Sequence, residues 1–472
     1  MSQTSEQTMQ TVENPLGTLP VGKLLVNFSV PAIISCLINS IYNIVDQIFI
    51  GQGVGYLGNA ATTVAFPLMT ILLAFGTMIG AGSSAHAAIR LGEKNEREAV
   101  EALNNAFRFT IILGIVIMII GFIFLTPILT LFGATDNIMP YALDYTGIIL
   151  LGTPFNLVSI VLSNLARTDG HPRMSMYGML IGAALNTVLD PIYIFVFHWG
   201  VRGAAIATIT SQIISAIVLT TYFVRESKNN PRHMRLERKG MKLDFGLISR
   251  FLVLGISSGI TQSVACIMQV VMNKSLVYYG DLSPIGGDVA LSAMGVVMKI
   301  AMIMGAFGIG VGIGAQPILG YNRGACKFDR IRKTYRMAVI FATALIFVCW
   351  IFCQTMPETI IGIFGKDNAG FTEFAVKCLR IYLFSIFCAG FQIVSTNYFQ
   401  ATGQPLKASI LSMLRQLLLL IPLILILPLF MGLDGILFSA PIADVGSAII
   451  VAFFIFPEMR KLNAAVQEQK IA

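Results

Sequence analysis

The chain has 472 residues, of which 56% are hydrophobic and only 12% charged, with a formal net charge of +8. Soluble globular domains carry about a quarter of their residues charged, so this composition excludes an ordinary soluble domain and points to a protein that lives in a bilayer. The expected fold class is an all-α integral membrane protein, because the apolar runs are continuous where a transmembrane β-barrel would alternate over segments of about ten residues.

The first twenty residues are polar and lack the basic start and apolar centre of a cleaved signal peptide. Residues 1–23 are therefore expected to form a cytoplasmic N-terminal segment. Twelve runs then meet the length of about 20 apolar residues that a membrane helix needs. They fall near 24–50, 58–89, 103–131, 138–167, 173–197, 202–224, 246–278, 289–320, 334–362, 370–400, 405–430 and 434–457, and are numbered here as spans one to twelve. Lys and Arg collect in alternate loops, "RLGEKNERE" after span two, "RESKNNPRHMRLERKGMKLD" after span six and "YNRGACKFDRIRKTYR" after span eight. That asymmetry is a topology signal that places both termini in the cytoplasm, and it explains the net charge without nucleic acid. Residues 458–472 are the expected cytoplasmic tail.

The chain repeats itself. "FGTMIGAG" at 75–82 returns as "FGIGVGIG" at 307–314, and Gly92 is matched by Gly324, both at a shift of 232. "LFGATDN" at 131–137 answers "IFGKDN" at 363–368, "NLARTDGHP" at 164–172 answers "NYFQATGQP" at 397–405, and "GVRG" at 200–203 answers "GLDG" at 432–435. Five matches in order define a duplicated six-span unit, with lobes over 24–224 and 246–457 and a basic linker over 225–245. Six is even, so both copies enter the membrane from the same side and the repeats are parallel, the plan of a two-lobed transporter. The paired glycines Gly76/Gly80 and Gly308/Gly312 read first as sites of close helix packing.

Against this frame the polar residues stand out. Span one carries Asn39, Asn43 and Asp46 at i, i+4, i+7, and span five carries Asn186 and Asp190 one turn apart, followed by Pro191, which cannot donate to the Thr187 carbonyl. Both carboxylates lie in the outer half of their spans at similar depth. Shifting Asp190 by 232 lands on Pro422, and span seven offers Gln262, Gln269 and Asn273 but no acid. The frame is kept twice and the acidic site once, which favours function over architecture. A carboxylate at the bilayer centre costs about 3 kcal/mol or more and marks ion or proton pathways. Two carboxylates together either share a proton or, with amide and carbonyl oxygens, hold a small hard cation such as Na⁺ at Asp46, Asn186 and Asp190. Thr208 on span six is a further oxygen, with bonding back to its own helix as the alternative.

Asp444, Arg415 and Lys299 lie inside apolar runs of the second lobe and read as a buried charge network in which Arg415 and Asp444 are partners. Met294, Met298 and Met302 form a stripe on span eight, and Met268 and Met272 on span seven. Core packing is the first reading of each, and together with Gln269 they are candidates for an apolar, loosely specified substrate wall. Cys36, Cys266, Cys349, Cys353 and Cys388 sit in apolar spans as small hydrophobes, with no disulfide framework, and the four histidines show no metal spacing. There is no phosphate-binding Gly-Lys-Ser/Thr loop and no enzyme signature, so the expected driving force is an ion gradient, with no cofactor beyond the coupling ion.

"PAIISCLINSIYNIVDQIFIG", "GHPRMSMYGMLIGAALNTVLDPIYIF", "WGVRGAAIATITSQ" and "ATGQPLKAS" together resemble the multidrug and toxin extrusion (MATE) family, in its MepA-like bacterial branch, from about residue 24 to 457. The resemblance implies twelve helices in two six-helix bundles around a central cavity. It also implies a monomer in the bacterial inner membrane that exports drugs or toxins, often cationic and aromatic, in exchange for H⁺ or Na⁺. It further implies cation-site roles for Asp46, Asn186, Asp190 and Thr208, for Asn164 on helix four with Asn156 as its rival, and for Tyr42 as the aromatic one turn before Asp46. The acidic residues that one branch carries on helices seven and ten are missing. The broader superfamily also contains lipid-linked precursor flippases, which need a strongly basic cavity, and a non-transporting receptor is a third reading.

Overall fold

The structure, a computed structural model, describes residues 14–54, 56–132, 134, 136–225, 234–237, 243–362 and 369–471; of Asn43, Gln47, Gly51, Tyr56, Leu57, Asn59, Asp288, Ala369, Gly370, Lys470 and Ile471 it describes the backbone alone. Most of the expected linker and the "IFGKDN" segment therefore lie outside the described residues. The described residues contain eleven helices long and apolar enough to cross a membrane. In the first lobe they are Val21–Val54, Tyr56–Gly92, Glu96–Ile123, Met139–Thr168, Pro172–Pro191 continuing as a π-helix over Ile192–Val196, and Gly200–Arg225. In the second they are Phe245–Asp281, Gly287–Gly324, Phe328–Thr355, the interrupted span from Pro405 to Met431, and Leu433–Ile471.

Several spans depart from the expected continuous runs. Span three stops at Ile123 and resumes as Leu125–Leu131, because the ring of Pro127 collides with the carbonyl four residues earlier. Span ten is two helices, Ala369–Tyr382 and Cys388–Ala401, each too short to cross alone. Its turn is fastened to span twelve by Ser385 Oγ, which donates to the Pro441 carbonyl at 3.2 Å and to Asp444 at 3.4 Å. Span twelve runs on through the expected tail to Ile471, with Leu462 and Val466 buried.

The duplication is visible in the backbone. Lys94 and Cys326 both adopt positive φ, 61° and 54°, as do Gly170 and Gly403, 89° and 79°, and Gly200 and Gly432, 55° and 58°. Each pair is related by the shift of 232 or 233 found in the sequence. A non-glycine residue resists this conformation, so Lys94 and Cys326 show the same turn imposed by the same frame in both lobes.

The lobes meet through spans two and seven and spans one and eight. Glycine makes the approach possible. A Cβ on Gly82 would collide with the Phe251 carbonyl and one on Gly255 with the Met78 carbonyl, while Gly310 and Gly314 lie against the backbone of Ile33 and Ser29. At the end bearing the basic loops, Gly92 and Gly324 are similarly closed off by Tyr321 and Ile89. The glycine pairs inside the repeats serve packing as well: Gly80 sits on Asn164 and Gly312 on Asn397, residues that the repeat equates.

Two straps cross between the units. The turn Pro15–Thr18, capped by Asn14, docks on the second lobe, where Asn322, Lys327 and Arg330 donate to the carbonyls of Leu16, Gly17 and Leu19. Conversely, the linker is pinned to the first lobe: Asn104 accepts from Glu237 N and donates to the Arg235 carbonyl. Asp169 accepts from Met234 N at 2.8 Å and from the Tyr222 hydroxyl at 2.6 Å. Hydrogen bonds to a charged group contribute about 1.5–3 kcal/mol. Asp169→Ala is expected to lower stability by about 2–4 kcal/mol, read as earlier thermal unfolding of the purified protein, and to expose the linker to protease.

Candidate cation site

Span five brings Asn186 and Asp190 onto one face one turn apart, 2% and 0% exposed, and span six places Thr208, 2% exposed, opposite them. Asn186 Nδ2 donates to Asp190 Oδ1 and to Thr208 Oγ1, each at 3.2 Å. Span one completes the group. The Asp46 carboxyl faces that of Asp190, and Tyr42 stands beside Asp46 and Thr208. Pro191 leaves the Thr187 carbonyl without its helical donor, and the chain widens there into the π-helical turn Ile192–Val196.

The arrangement is short of positive charge. Among the described residues no lysine or arginine pairs with Asp46 or Asp190. Three acceptor oxygens, Asp46 Oδ1, Asp190 Oδ2 and Asn186 Oδ1, are buried without a donor among the described residues. Buried carboxylates in contact repel strongly at low dielectric, and they are balanced either by a proton between the oxygens or by a small cation ringed by carboxylate, amide and hydroxyl oxygens. The donor set suits both. Tyr145 on span four, 3% exposed, stands close enough to feel the charges of Asp46 and Asp190. Nothing in the sequence set it apart from the core aromatics.

Asn164 lies four residues from the end of span four, about 20 Å nearer the basic-loop end than Asp190. There its Oδ1 accepts from Arg167, whose guanidinium also reaches Ser163 and Ser175. In the second lobe Asn397 and Gln400 hold the repeat-equivalent positions, bound to Gln316, so this polar cluster belongs to the duplicated frame. Asn156 is half-buried two turns further out, close to the depth of Asn186. Met268, Met272 and Met294 are buried in the core of the second lobe, with Met298 packed against it, and Gln269 Nε2 donates to Asn273 Oδ1 at 2.9 Å. All seven cysteines are free thiols.

Arg415 and Asp444 are partners. Arg415 Nε donates to Asp444 Oδ1, and Asp444, 1% exposed, also receives Ser385 at the break in span ten. Arg415 itself sits at the start of the π-helix Leu414–Leu420. Removing one member of a buried pair costs about 3–5 kcal/mol. Asp444→Asn is therefore expected to destabilise by that order, and exchanging the two residues to recover part of the loss. A double exchange less stable than either single neutralisation would contradict the pairing account.

Two six-helix lobes in parallel repeat, meeting through four central helices, with a charge-deficient acidic pair in the first lobe that the described residues of the second do not repeat, define the class of two-lobed membrane transporters. The MatE family profile matches residues 31–192 and again 257–426, and the chain belongs to this family. Among curated relatives, the multidrug export protein MepA of Staphylococcus aureus (strain MRSA252) is 27% identical over 450 residues, 95% of this chain and 96% of that protein. MepA of Staphylococcus haemolyticus is 27% identical over 445 residues, 93% and 94%. Among solved structures, the MATE multidrug transporter DinF-BH, determined as a ligand complex, superposes with a TM-score of 0.86 at 32% identity, covering 96% of this chain and 98% of that one. A transporter from Pyrococcus furiosus described by the reverse polarity of its binding pocket superposes with a TM-score of 0.87 at 21% identity, covering 96% and 98%.

Proposed function

We propose that the protein exports amphipathic organic compounds, cationic and aromatic ones among them, in exchange for H⁺ or Na⁺, by alternating access between its two lobes in a bacterial inner membrane with both termini cytoplasmic. The observation that carries this reading is the set of three buried oxygens on Asp46, Asp190 and Asn186 that meet no donor among the described residues. The names of the staphylococcal relatives and of DinF-BH, a multidrug transporter, support the substrate class.

Span one gives the site its mechanical reach. Its outer half carries Tyr42 and Asp46, and its other half lies against Gly310 and Gly314 of span eight through Ile33 and Ser29. With a positive particle between the carboxylates, Asp46 stays drawn to Asp190. When the particle leaves, the two charges repel, and span one shifts along the seam it shares with the opposite lobe. Asn186 holds Asp190 and Thr208 in place for either state. In cells lacking their own exporters, expression of this chain is expected to lower ethidium accumulation, and accumulation equal to that of empty-vector cells contradicts the reading.

A further inference from the structure

Lys299 is a charged residue of the transmembrane interior that neither the site nor the Arg415–Asp444 pair uses. It lies on span eight, twelve residues inside the Gly287 end, about 18 Å from it, too deep for its stem to carry the ammonium to the outer interface. Among the described residues it has neither an ion-pair nor a hydrogen-bond partner, and it is half-buried. A lone lysine at such depth is rare unless it faces water or a ligand.

Helix phase places it in the space between the lobes. Eleven residues make three turns plus about 20°, so Lys299 lies on the face of span eight that carries Gly310, the residue seated on Ile33 of span one. Nearer the basic loops that face is shut against the other lobe. Further out it opens: a Cβ on Gly295, within about 60° of the same face, would meet nothing within 4 Å. Span seven behaves alike. Gly255 is pressed against Met78, and Gln262, Gln269 and Asn273 follow within about 40° of that face. Gln269 and Lys299 both lie about 37 Å along their helices from the basic-loop ends. The second lobe therefore walls the outer cleft with three amides and one ammonium. Arg415 is taken by Asp444, and the acids of the first lobe face each other.

We propose that Lys299 is a specificity-determining residue of the outer cleft, holding the carboxylate of those exported molecules that carry one. This rests on the export reading and names a residue that selects among its substrates. An ammonium is a compact point charge with three donors, and the amide N–H groups on span seven supply the second oxygen's donors. A zwitterion then matches both walls of the cleft, its anion on Lys299 and its cation toward the acidic lobe. A single lysine suits a monoanion better than a pyrophosphate, which sets this wall apart from one built for lipid-linked precursors.

The test uses rhodamine B, which has a free carboxylate, and its ethyl ester, which lacks it. Binding of each to the full purified chain is read by fluorescence, and transport of each by proteoliposomes. The expected result is about a tenfold preference of the wild type for the acid, the equivalent of one charge-assisted hydrogen bond. Lys299→Gln brings the ratio to about one, and Lys299→Arg keeps it. Equal binding of acid and ester by the wild type, or parallel loss of both in Lys299→Gln, overturns the proposal. A preserved binding preference without transport of either dye instead overturns the export reading and leaves the anchor standing.

Discussion

Replacing Asp190 by Asn is expected to reduce ion-coupled efflux to background while the protein still folds, and Asp46→Asn is expected to do the same. The physical reason is that the amide keeps the geometry and removes the charge. At position 190, the Asn side-chain oxygen still accepts from Asn186 Nδ2, the bond that now runs to Asp190 Oδ1, so span five stays docked on Thr208. What vanishes is the need for a positive particle at the donor-less oxygens, and with it the exchange that drives export. Stability is expected to hold or rise, because a buried carboxylate facing another is a net cost in the absence of its cation. Ethidium accumulation in intact cells reads the first effect and thermal unfolding the second. Efflux at the wild-type rate in either variant contradicts the assignment.

The second large effect is at the seam between the lobes. Gly255 lies so close to Met78, and Gly82 to Phe251, that neither tolerates a side chain while the backbones stay in place. Gly255→Val is expected to drive spans two and seven apart, with a loss of about 1–3 kcal/mol from overpacking and the disappearance of transport, since the closed arrangement of this half can no longer form. Gly305→Ala provides the control. A Cβ there meets nothing within 4 Å, and alanine improves helix propensity by up to about 1 kcal/mol, so its unfolding is expected to be unchanged or later. Equal destabilisation by both substitutions would mean that the seam is not close-packed.

Much of this was legible in the sequence because membrane helices constrain it so tightly. Hydropathy places the spans, the shift of 232 exposes the duplication, and a 3.6-residue period puts Asn186 and Asp190 on one face. The site's partners on separate helices were reachable only as matching depths, and Tyr145 not even so, since an aromatic beside the acids has the same sequence signature as one in the core. Asn164 shows the opposite difficulty. It is a polar residue in an apolar span like the others, yet the structure ties it to Arg167, and the signal separating it from the acids was its counterpart Asn397 in the second copy. The break in span ten carries no proline or glycine; it arises from the grip of Ser385 on span twelve, a tertiary contact that no local pattern encodes. Likewise the methionine spacing gives a face, but that Met268, Met272 and Met294 point into the core of the second lobe while Met302 stays exposed depends on packing.

The most direct measurement is counterflow in proteoliposomes holding the purified chain, with gradients of H⁺ and of Na⁺ imposed separately. The account predicts that one of the two gradients drives ethidium transport, that an ethidium gradient alone drives that ion the other way, and that both fluxes vanish in Asp46→Asn and in Asp190→Asn. Ethidium movement that is indifferent to both gradients, or coupled flux that survives the loss of both carboxylates, would contradict it.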